Sequence, residues 1–168
     1  MKSSESLSHM LGKLLLQYNH IMTTAESCTG GGIAAAITDI AGSSAWFDRA
    51  FITYSNEAKQ EMIGIQLTTL EQYGAVSEQV VEEMVQGAIA NSNATIGVSV
   101  SGIAGPGGGS EEKPVGTVCF AWADDEGWMR VETCHFAGDR SQVRDCATQH
   151  ALQVMHDYLV SKTAEGLV

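Results

Sequence analysis

The sequence has few basic residues, and this scarcity excludes a large class of function. Lysine and arginine total nine against twenty aspartate and glutamate residues, which leaves a formal charge of −11 at pH 7. Proteins that bind the phosphate backbone of DNA or RNA need a concentrated basic face. We therefore expect no nucleic-acid partner, and the position of each basic residue becomes informative.

Long hydrophobic runs are also missing, although 44% of the residues are hydrophobic. A membrane-spanning helix needs about 20 consecutive apolar residues, and no segment approaches that length. The N-terminal stretch lacks the unbroken apolar block and the small-residue cleavage site of a signal peptide. We therefore expect a cytoplasmic protein without membrane contact. The chain has four cysteines, Cys28, Cys119, Cys134 and Cys146, and none of them forms a CxxC pair. We expect all four to be reduced thiols.

The chain has 168 residues, enough for one domain with a proper core. Helical and strand periodicities follow one another in the order α-β-α-β-α-α-β-β-β-α. This order predicts a layered α/β/α domain with a mixed β-sheet, spanning 1–168 with its core at about 5–160. The helices are predicted at 5–18, 31–41, 56–64, from Ser77 onward and through Val143 to Tyr158; the strands are predicted at 20–25, 50–55, 94–102, 114–123 and 128–137.

The last two strands predict a hairpin around the turn DDEG, residues 124–127. Pairing the strands around this turn sets Phe120 opposite Val131, with one apolar face toward the core. The neighbouring pairs in this register are Val118 with Thr133 and Trp122 with Met129.

The stretch TTAESCTGGGIAAAI, residues 23–37, places hydroxyl groups beside three glycines between a strand and a helix. Such a loop presents free backbone N–H groups, which favour anions and developing oxyanions. Neither the Walker spacing nor the GxGxxG spacing is present. The loop has the minimum parts for acyl transfer, with Ser27 as nucleophile and Thr29, Gly30 and Gly31 against the substrate. The alternative is that Ser27 merely caps the helix.

A serine nucleophile needs a base, and none of the five histidines lies in a glycine loop. The segment TYSNEAK instead places Tyr54 at a strand end and Lys59 in the first turns of a short helix. A lysine acts as a base only when neutral, so its pKa must fall well below about 10.4. Burial or a nearby cation would lower it, and Tyr54 could relay the proton. The alternative is a solvated Lys59 that pairs with Glu57 or Glu61.

Cysteine and histidine residues suggest two other kinds of chemistry. Cys28 is a competing nucleophile, because a thiolate is intrinsically more reactive than a hydroxyl. Cys146 and His150 lie four apart on a helix, a spacing that suits two metal ligands, but the sequence offers no apparent third ligand. We therefore interpret that pair as packing residues and expect neither a metal nor a cofactor in the reaction.

A second glycine loop, SGIAGPGGGSEEKP, lies between two predicted strands. Its Ser101, Gly102 and Gly105 are typical of a backbone cradle for a sugar or phosphate, although an unliganded loop is the alternative. Arg140 and Arg144 lie four apart at the start of the last helix, where cations oppose the helix dipole. Their position indicates a bound phosphate or carboxylate, unless they pair with the adjacent aspartates.

Four segments in sequence order resemble the C-terminal domain of the competence/damage-inducible CinA family: AESCTGG, ITDIAGSSAWFDRAFITYSNEAK, GAVS and SGIAGPGGG. From about residue 5 to 160, the chain is similar to the stand-alone nicotinamide-nucleotide amidases of that family. The resemblance implies hydrolysis of nicotinamide mononucleotide to nicotinic acid mononucleotide and ammonia, within pyridine nucleotide recycling. It also implies that Ser27 is the nucleophile and that Tyr54 and Lys59 belong to the catalytic site.

The residues and the resemblance together predict an amidohydrolase with a small-molecule substrate. Ser27 attacks the carboxamide, Lys59 takes its proton directly or through Tyr54, and the substrate's pyridinium helps to keep the lysine neutral. The second loop, Arg140 or both would hold the 5′-phosphate. Spacing does not decide whether Lys59 or Tyr54 is the immediate base. The competing function is a non-catalytic nucleotide-binding or sensing module of the same fold, and a homo-oligomer is compatible with either function.

Overall fold

The computed structural model describes the backbone of residues 4–165 and the side chains of residues 6–163, so the outermost residues of the predicted domain lie outside the described part. The elements follow the predicted order, with one further helix, α4, and a single 3-10 turn at Ser43–Ala45. The helices are α1 (Ser4–Gln17), α2 (Gly32–Thr38), α3 (Asn56–Ile63), α4 (Leu67–Tyr73), α5 (Glu78–Ala90) and α6 (Arg140–Glu165); the strands are β1 (Met22–Glu26), β2 (Phe47–Ile52), β3 (Ile96–Gly102), β4 (Thr117–Asp124) and β5 (Met129–His135).

The five strands form one mixed sheet in the order β2-β1-β3-β4-β5. Strand β1 runs parallel to both β2 and β3, whereas β4 and β5 continue the sheet antiparallel. Helices α1, α2 and α6 cover one face, and α5 covers the other with α3 and α4 packed beside it. The predicted α/β/α layers and mixed sheet are therefore confirmed.

The parallel half of the sheet decides where the two glycine loops meet. Chain segments that follow the carboxyl ends of neighbouring parallel strands lie at the same edge of a sheet. The amide of Ser27, just after β1, donates to the carbonyl of Val100 in β3, and the amide of Thr53, just after β2, donates to the carbonyl of Glu26. This edge therefore gathers the ends of β1, β2 and β3.

The predicted β4–β5 hairpin exists, but its predicted register is wrong by one residue. Phe120 pairs with Glu132 instead of Val131, and Val118 pairs with Cys134. Because facing residues of paired strands share one side of a sheet, Glu132 and Cys134 lie on the α6 side with Phe120.

The turn explains the shifted register. The Asp124 amide donates to the Trp128 carbonyl, while Asp124 Oδ1 accepts the amides of Glu126 and Trp128 at 2.9 Å each. The connection therefore has three residues instead of four, with Gly127 at a φ of 101°.

Among the helices of the described residues, none has both the length and the apolar character needed to cross a membrane.

Candidate active site

The structure brings Lys59 and Ser27 together at the carboxyl end of β1. Lys59 lies in α3, one turn after the N-cap Ser55, and only 1% of the residue is exposed. Its Nζ lies 3.1 Å from Ser27 Oγ, 2.8 Å from the Thr53 carbonyl oxygen and 3.3 Å from the Tyr54 carbonyl oxygen. The alternative of a solvated Lys59 is therefore wrong.

The three partners of Lys59 suit a neutral amine. A neutral lysine has two N–H groups and one lone pair, so it can donate to the Thr53 and Tyr54 carbonyls and accept the Ser27 hydroxyl proton. Burial lowers the pKa of Lys59 to about 8, from its usual 10.5. No ion pair in the described residues holds Lys59 in its charged form. A substantial fraction of the amine is therefore neutral near pH 7.5.

The loop after Ser27 consists of two successive turns. The Gly30 amide donates to the Ser27 carbonyl at 3.0 Å, and the Gly32 amide donates to the Thr29 carbonyl at 2.9 Å. Gly30 and Gly31 have φ values of 57° and 100°, in the left-handed region that favours glycine. Because these turns use the amides of Gly30 and Gly32, those two amides are not available to bind an oxyanion. Within the described chain, the amides of Cys28, Thr29 and Gly31 donate no hydrogen bond to another residue, so the candidate oxyanion donors, Thr29 and Gly31 among them, come from this group.

Glu26, the last residue of β1, supports this loop from within the protein, and sequence reasoning missed it. Its carboxylate is fully buried and accepts the hydroxyls of Thr24 at 3.0 Å and Thr29 at 2.7 Å. It also accepts the amides of Ile33 at 2.9 Å and Ala34 at 3.0 Å, which lie at the start of α2. One carboxylate therefore fixes both the nucleophile loop and the helix that follows.

The contacts of Glu26 correct two expectations about its neighbours. Ser27 does not cap α2, because Glu26 binds the first amides of that helix and the N-cap residue is Gly31. Thr29 is only 1% exposed and donates its hydroxyl to Glu26, so its side chain positions the loop and does not face a ligand. A carboxylate at the end of a short predicted strand, with a glycine-rich loop between it and the next helix, is the signal that could have identified Glu26.

Cys28 lies beside Ser27 but is poorly suited to act as a nucleophile. The residue is 6% exposed, and burial raises the pKa of its thiol to about 11. A Cβ atom at Gly102 would lie 3.1 Å from its Sγ, so the thiol packs against the start of the second glycine loop. A buried, protonated thiol is inert compared with the hydroxyl beside Lys59.

Arg140 connects the second glycine loop to the end of β2. Its Nη1 donates to the Gly105 carbonyl at 2.8 Å, and its Nη2 donates to the Tyr54 hydroxyl at 3.3 Å. Tyr54 is 62% exposed, and among the described residues its hydroxyl makes no hydrogen bond to Lys59 or Ser27. The arrangement therefore lacks the direct proton relay expected of Tyr54. Arg140 is exposed and uses two of its five N–H donors, so it can also bind an anion.

Ser101 and Gly102 end β3 beside this site, but both are packed. Ser101 is 1% exposed and lies on the same face as Ser99, which donates to a backbone carbonyl of α5. A Cβ atom at Gly102 would lie 2.8 Å from a methyl group of Val118. Gly102 is therefore needed for close packing of the loops, whereas the Gly105 carbonyl is the part of the second loop that reaches Arg140.

Arg144, one turn further along α6, contacts the nucleophile loop itself. Its Nε donates to the Cys28 carbonyl at 3.0 Å, and its Nη2 donates to the Thr29 carbonyl at 3.3 Å. No ion pair joins it to a neighbouring aspartate in the described part of the chain, and Asp139 instead accepts an amide in the first turn of α6. The alternative, in which the arginines pair with the adjacent aspartates, is therefore wrong for Arg144.

Comparison with known proteins places the chain in a family. The family model described as the CinA C-terminal domain matches residues 4–159. The nicotinamide-nucleotide amidohydrolase PncC of Escherichia coli strain K12 is 55% identical over 157 residues, covering 94% of this chain and 95% of that protein.

Two solved structures have the same fold over most of the chain. Competence/damage inducible protein CihA from Agrobacterium tumefaciens has a TM-score of 0.90 at 42% identity, covering 92% of this chain and 94% of its own. Competence damage-inducible protein A (ComA) from Klebsiella pneumoniae has a TM-score of 0.91 at 38% identity, covering 95% of this chain and 98% of its own. The chain belongs to the CinA C-terminal domain family.

Proposed function

We propose that this chain hydrolyses the carboxamide of nicotinamide mononucleotide to give nicotinic acid mononucleotide and ammonia. The observation that carries the proposal is the 3.1 Å separation between Lys59 Nζ and Ser27 Oγ, two groups that are buried together at the end of β1. The printed name of the E. coli relative, nicotinamide-nucleotide amidohydrolase, supports the choice of substrate. A domain that only held a nucleotide would gain nothing from a lysine amine desolvated beside a serine hydroxyl.

The first step of the reaction forms a tetrahedral intermediate on Ser27. Ser27 gives its hydroxyl proton to neutral Lys59 while Oγ bonds to the carboxamide carbon. The carbonyl oxygen becomes an oxyanion, which the amides of Thr29 and Gly31 stabilise by about 3–4 kcal/mol. The substrate's pyridinium withdraws electrons from the carbon under attack and favours the neutral form of Lys59.

Breakdown of this intermediate forms the acyl-enzyme, which water then hydrolyses. The Lys59 ammonium gives its proton to the departing nitrogen, which leaves as ammonia, and the lysine is neutral again. Neutral Lys59 then takes a proton from the water molecule that attacks the acyl carbon and gives it to Ser27 Oγ as the ester bond breaks, which restores the serine hydroxyl. The product leaves as the carboxylic acid and loses its proton to solvent. The carbonyls of Thr53 and Tyr54 hold Nζ in place throughout, because they accept N–H groups from either form of the amine.

Arg140 is the proposed partner of the substrate phosphate. It is exposed, joins the Gly105 loop to Tyr54, and is one of only nine basic residues in a chain of net charge −11. Arg144 uses its donors on the nucleophile loop and is assigned a positioning role. This division gives each arginine of the first two turns of α6 a separate function.

An ammonia-release assay on the purified chain tests the proposal. We expect release from nicotinamide mononucleotide, and much less from free nicotinamide or simple aliphatic amides. Ser27→Ala and Lys59→Met should remove activity while circular dichroism shows a folded protein, and Cys28→Ala should retain it. Binding of the nucleotide without ammonia release would favour the binding-module alternative, and loss of activity in Cys28→Ala alone would assign the nucleophile to the thiol.

A further inference from the structure

Three side chains outside the proposed active site converge between β5 and α6. Glu132 Oε1 lies 2.5 Å from His150 Nε2 and 3.0 Å from Cys134 Sγ, and Cys134 Sγ lies 3.6 Å from His150 Nε2. Each of the three side chains is partly exposed, so an ion from solution can reach them. We propose that Glu132, Cys134 and His150 bind a divalent transition-metal ion, with zinc as the best match.

The way the contacts converge distinguishes this cluster from a nucleophilic triad. In a triad, the acid and the nucleophile bind opposite nitrogens of the histidine ring. Here Glu132 and Cys134 both approach Nε2 of His150, and they also contact each other. Three donor atoms directed at one point do not relay a proton along a line, but they can surround a cation.

The donor types and spacings suit zinc. Bonds of about 2.3 Å to sulfur and about 2.0 Å to nitrogen place these atoms about 3.5 Å apart in a tetrahedron, close to the 3.6 Å between Cys134 Sγ and His150 Nε2. Glu132 lies too close for a tetrahedral edge and must withdraw by about 1 Å. On binding, the Cys134 thiol releases its proton to solvent, so thiolate and carboxylate together balance the two charges of the ion.

Surrounding groups both assist and oppose such an ion. Arg130 binds the other oxygen of Glu132 at 2.5 Å, which orients the carboxylate as outer partners of metal ligands do. Its positive charge also lowers the affinity that the three donors alone would give. His150 also lines a cavity of about 190 Å³ together with Cys146, so solvent reaches at least this one of the three donors.

The proposed role is structural. Glu132 and Cys134 belong to β5 and His150 belongs to α6, so a bound ion would join the edge strand of the sheet to the helix that carries Arg140 and Arg144. Of the pair Cys146 and His150, whose spacing suits two metal ligands, only His150 belongs to the proposed site, and the other two ligands come from the strand. Only the observed β4–β5 register places them beside His150.

Titration of zinc chloride into metal-free, full-length protein tests the proposal, with a chromophoric chelator as competitor. We expect one ion per chain, and a loss of affinity of more than about tenfold in Cys134→Ser and in His150→Gln. Cobalt(II) in place of zinc should give a thiolate charge-transfer band in the near ultraviolet, which Cys134→Ser removes. Zinc should also raise the thermal unfolding midpoint of the unsubstituted chain more than that of either variant.

Cys146→Ser is the matched control, because it removes an exposed thiol one turn away on α6 and leaves the three proposed ligands intact. It should keep the affinity of the unsubstituted chain. Unchanged zinc affinity in both Cys134→Ser and His150→Gln would overturn the proposal, as would a loss confined to Cys146→Ser. None of these readouts depends on amidase activity, so the metal site and the proposed function can fail separately.

Discussion

Arg144 donates a hydrogen bond of 3.0 Å from its Nε to the carbonyl oxygen of Cys28, the residue directly after the proposed nucleophile. A second hydrogen bond of 3.3 Å runs from its Nη2 to the carbonyl of Thr29. A cation in the first turns of a helix opposes the helix dipole, so this position is unfavourable for the isolated helix. The two carbonyl contacts offset that cost and connect α6 to the nucleophile loop.

Loss of this connection should reduce catalysis more than substrate binding. We expect Arg144→Met to lower kcat by about tenfold to a hundredfold, because a small displacement of Ser27 disturbs its alignment with Lys59 and the substrate. KM should change less, since Arg144 is not the proposed phosphate partner. Steady-state kinetics with nicotinamide mononucleotide measures both constants. A rise in KM with unchanged kcat would instead show that Arg144 binds substrate.

The pH dependence of kcat/KM should report the protonation of Lys59. Burial lowers the pKa of this lysine to about 8, and only the neutral amine can accept the serine proton. Activity should therefore rise with pH and level off above an apparent pKa near 8. Initial rates of ammonia release across a series of buffers at constant ionic strength measure the profile.

Tyr54→Phe is the control for this assignment. Its hydroxyl binds Arg140 and not Lys59, so the variant should keep the same ascending limb even if its overall rate falls. Disappearance of the limb in Tyr54→Phe would make the phenol part of the titrating base.

Glu26→Gln should destabilise the protein and disturb the site together. The carboxylate accepts four hydrogen bonds in a fully buried position, two at each oxygen. The glutamine side chain would replace one of these oxygens with an NH2 group, which cannot accept the two hydrogen bonds made there. A mismatch of this kind costs about 1–3 kcal/mol in the free energy of unfolding. Urea denaturation measures this loss, with Glu71→Gln as control, because Glu71 is exposed on α4. Equal stability of the two variants would contradict the proposed role of Glu26.

The proximity of the two glycine loops and of Lys59 to Ser27 follows from local patterns. Short apolar runs ending in glycine loops predict parallel strands, and parallel strands gather their following loops at one edge. Lys59 is then the candidate base on the condition that it is buried, because burial lowers the pKa of a lysine and favours its neutral form. These arguments need only the order of the helices and strands, which the periodicity of the sequence predicts.

Features that depend on individual side-chain hydrogen bonds could not be predicted in this way. The β4–β5 register depends on Asp124 Oδ1, which shortens the turn by one residue and moves Glu132 to the α6 side. The support of the nucleophile loop depends on Glu26, whose four partners are spread over eleven residues of sequence from Thr24 to Ala34. Helix α4, with the sequence LTTLEQY, has seven residues and no side-chain N-cap, and it lacks the run of small apolar residues that predicts the equally short α2.

Removal of Arg140 should weaken recognition of the phosphate specifically. A charge-assisted hydrogen bond contributes about 1.5–3 kcal/mol, so Arg140→Ala should raise KM for nicotinamide mononucleotide by about tenfold to a hundredfold. Nicotinamide riboside lacks the phosphate and should be a poor substrate for the unsubstituted chain and the variant alike. Arg140→Lys should recover part of the loss because it restores the positive charge. Arg49→Ala is the matched control, since Arg49 is an exposed arginine on β2 that pairs with Asp48. An equal loss of kcat/KM for the nucleotide and the riboside would assign Arg140 to holding the Gly105 loop and not to the phosphate.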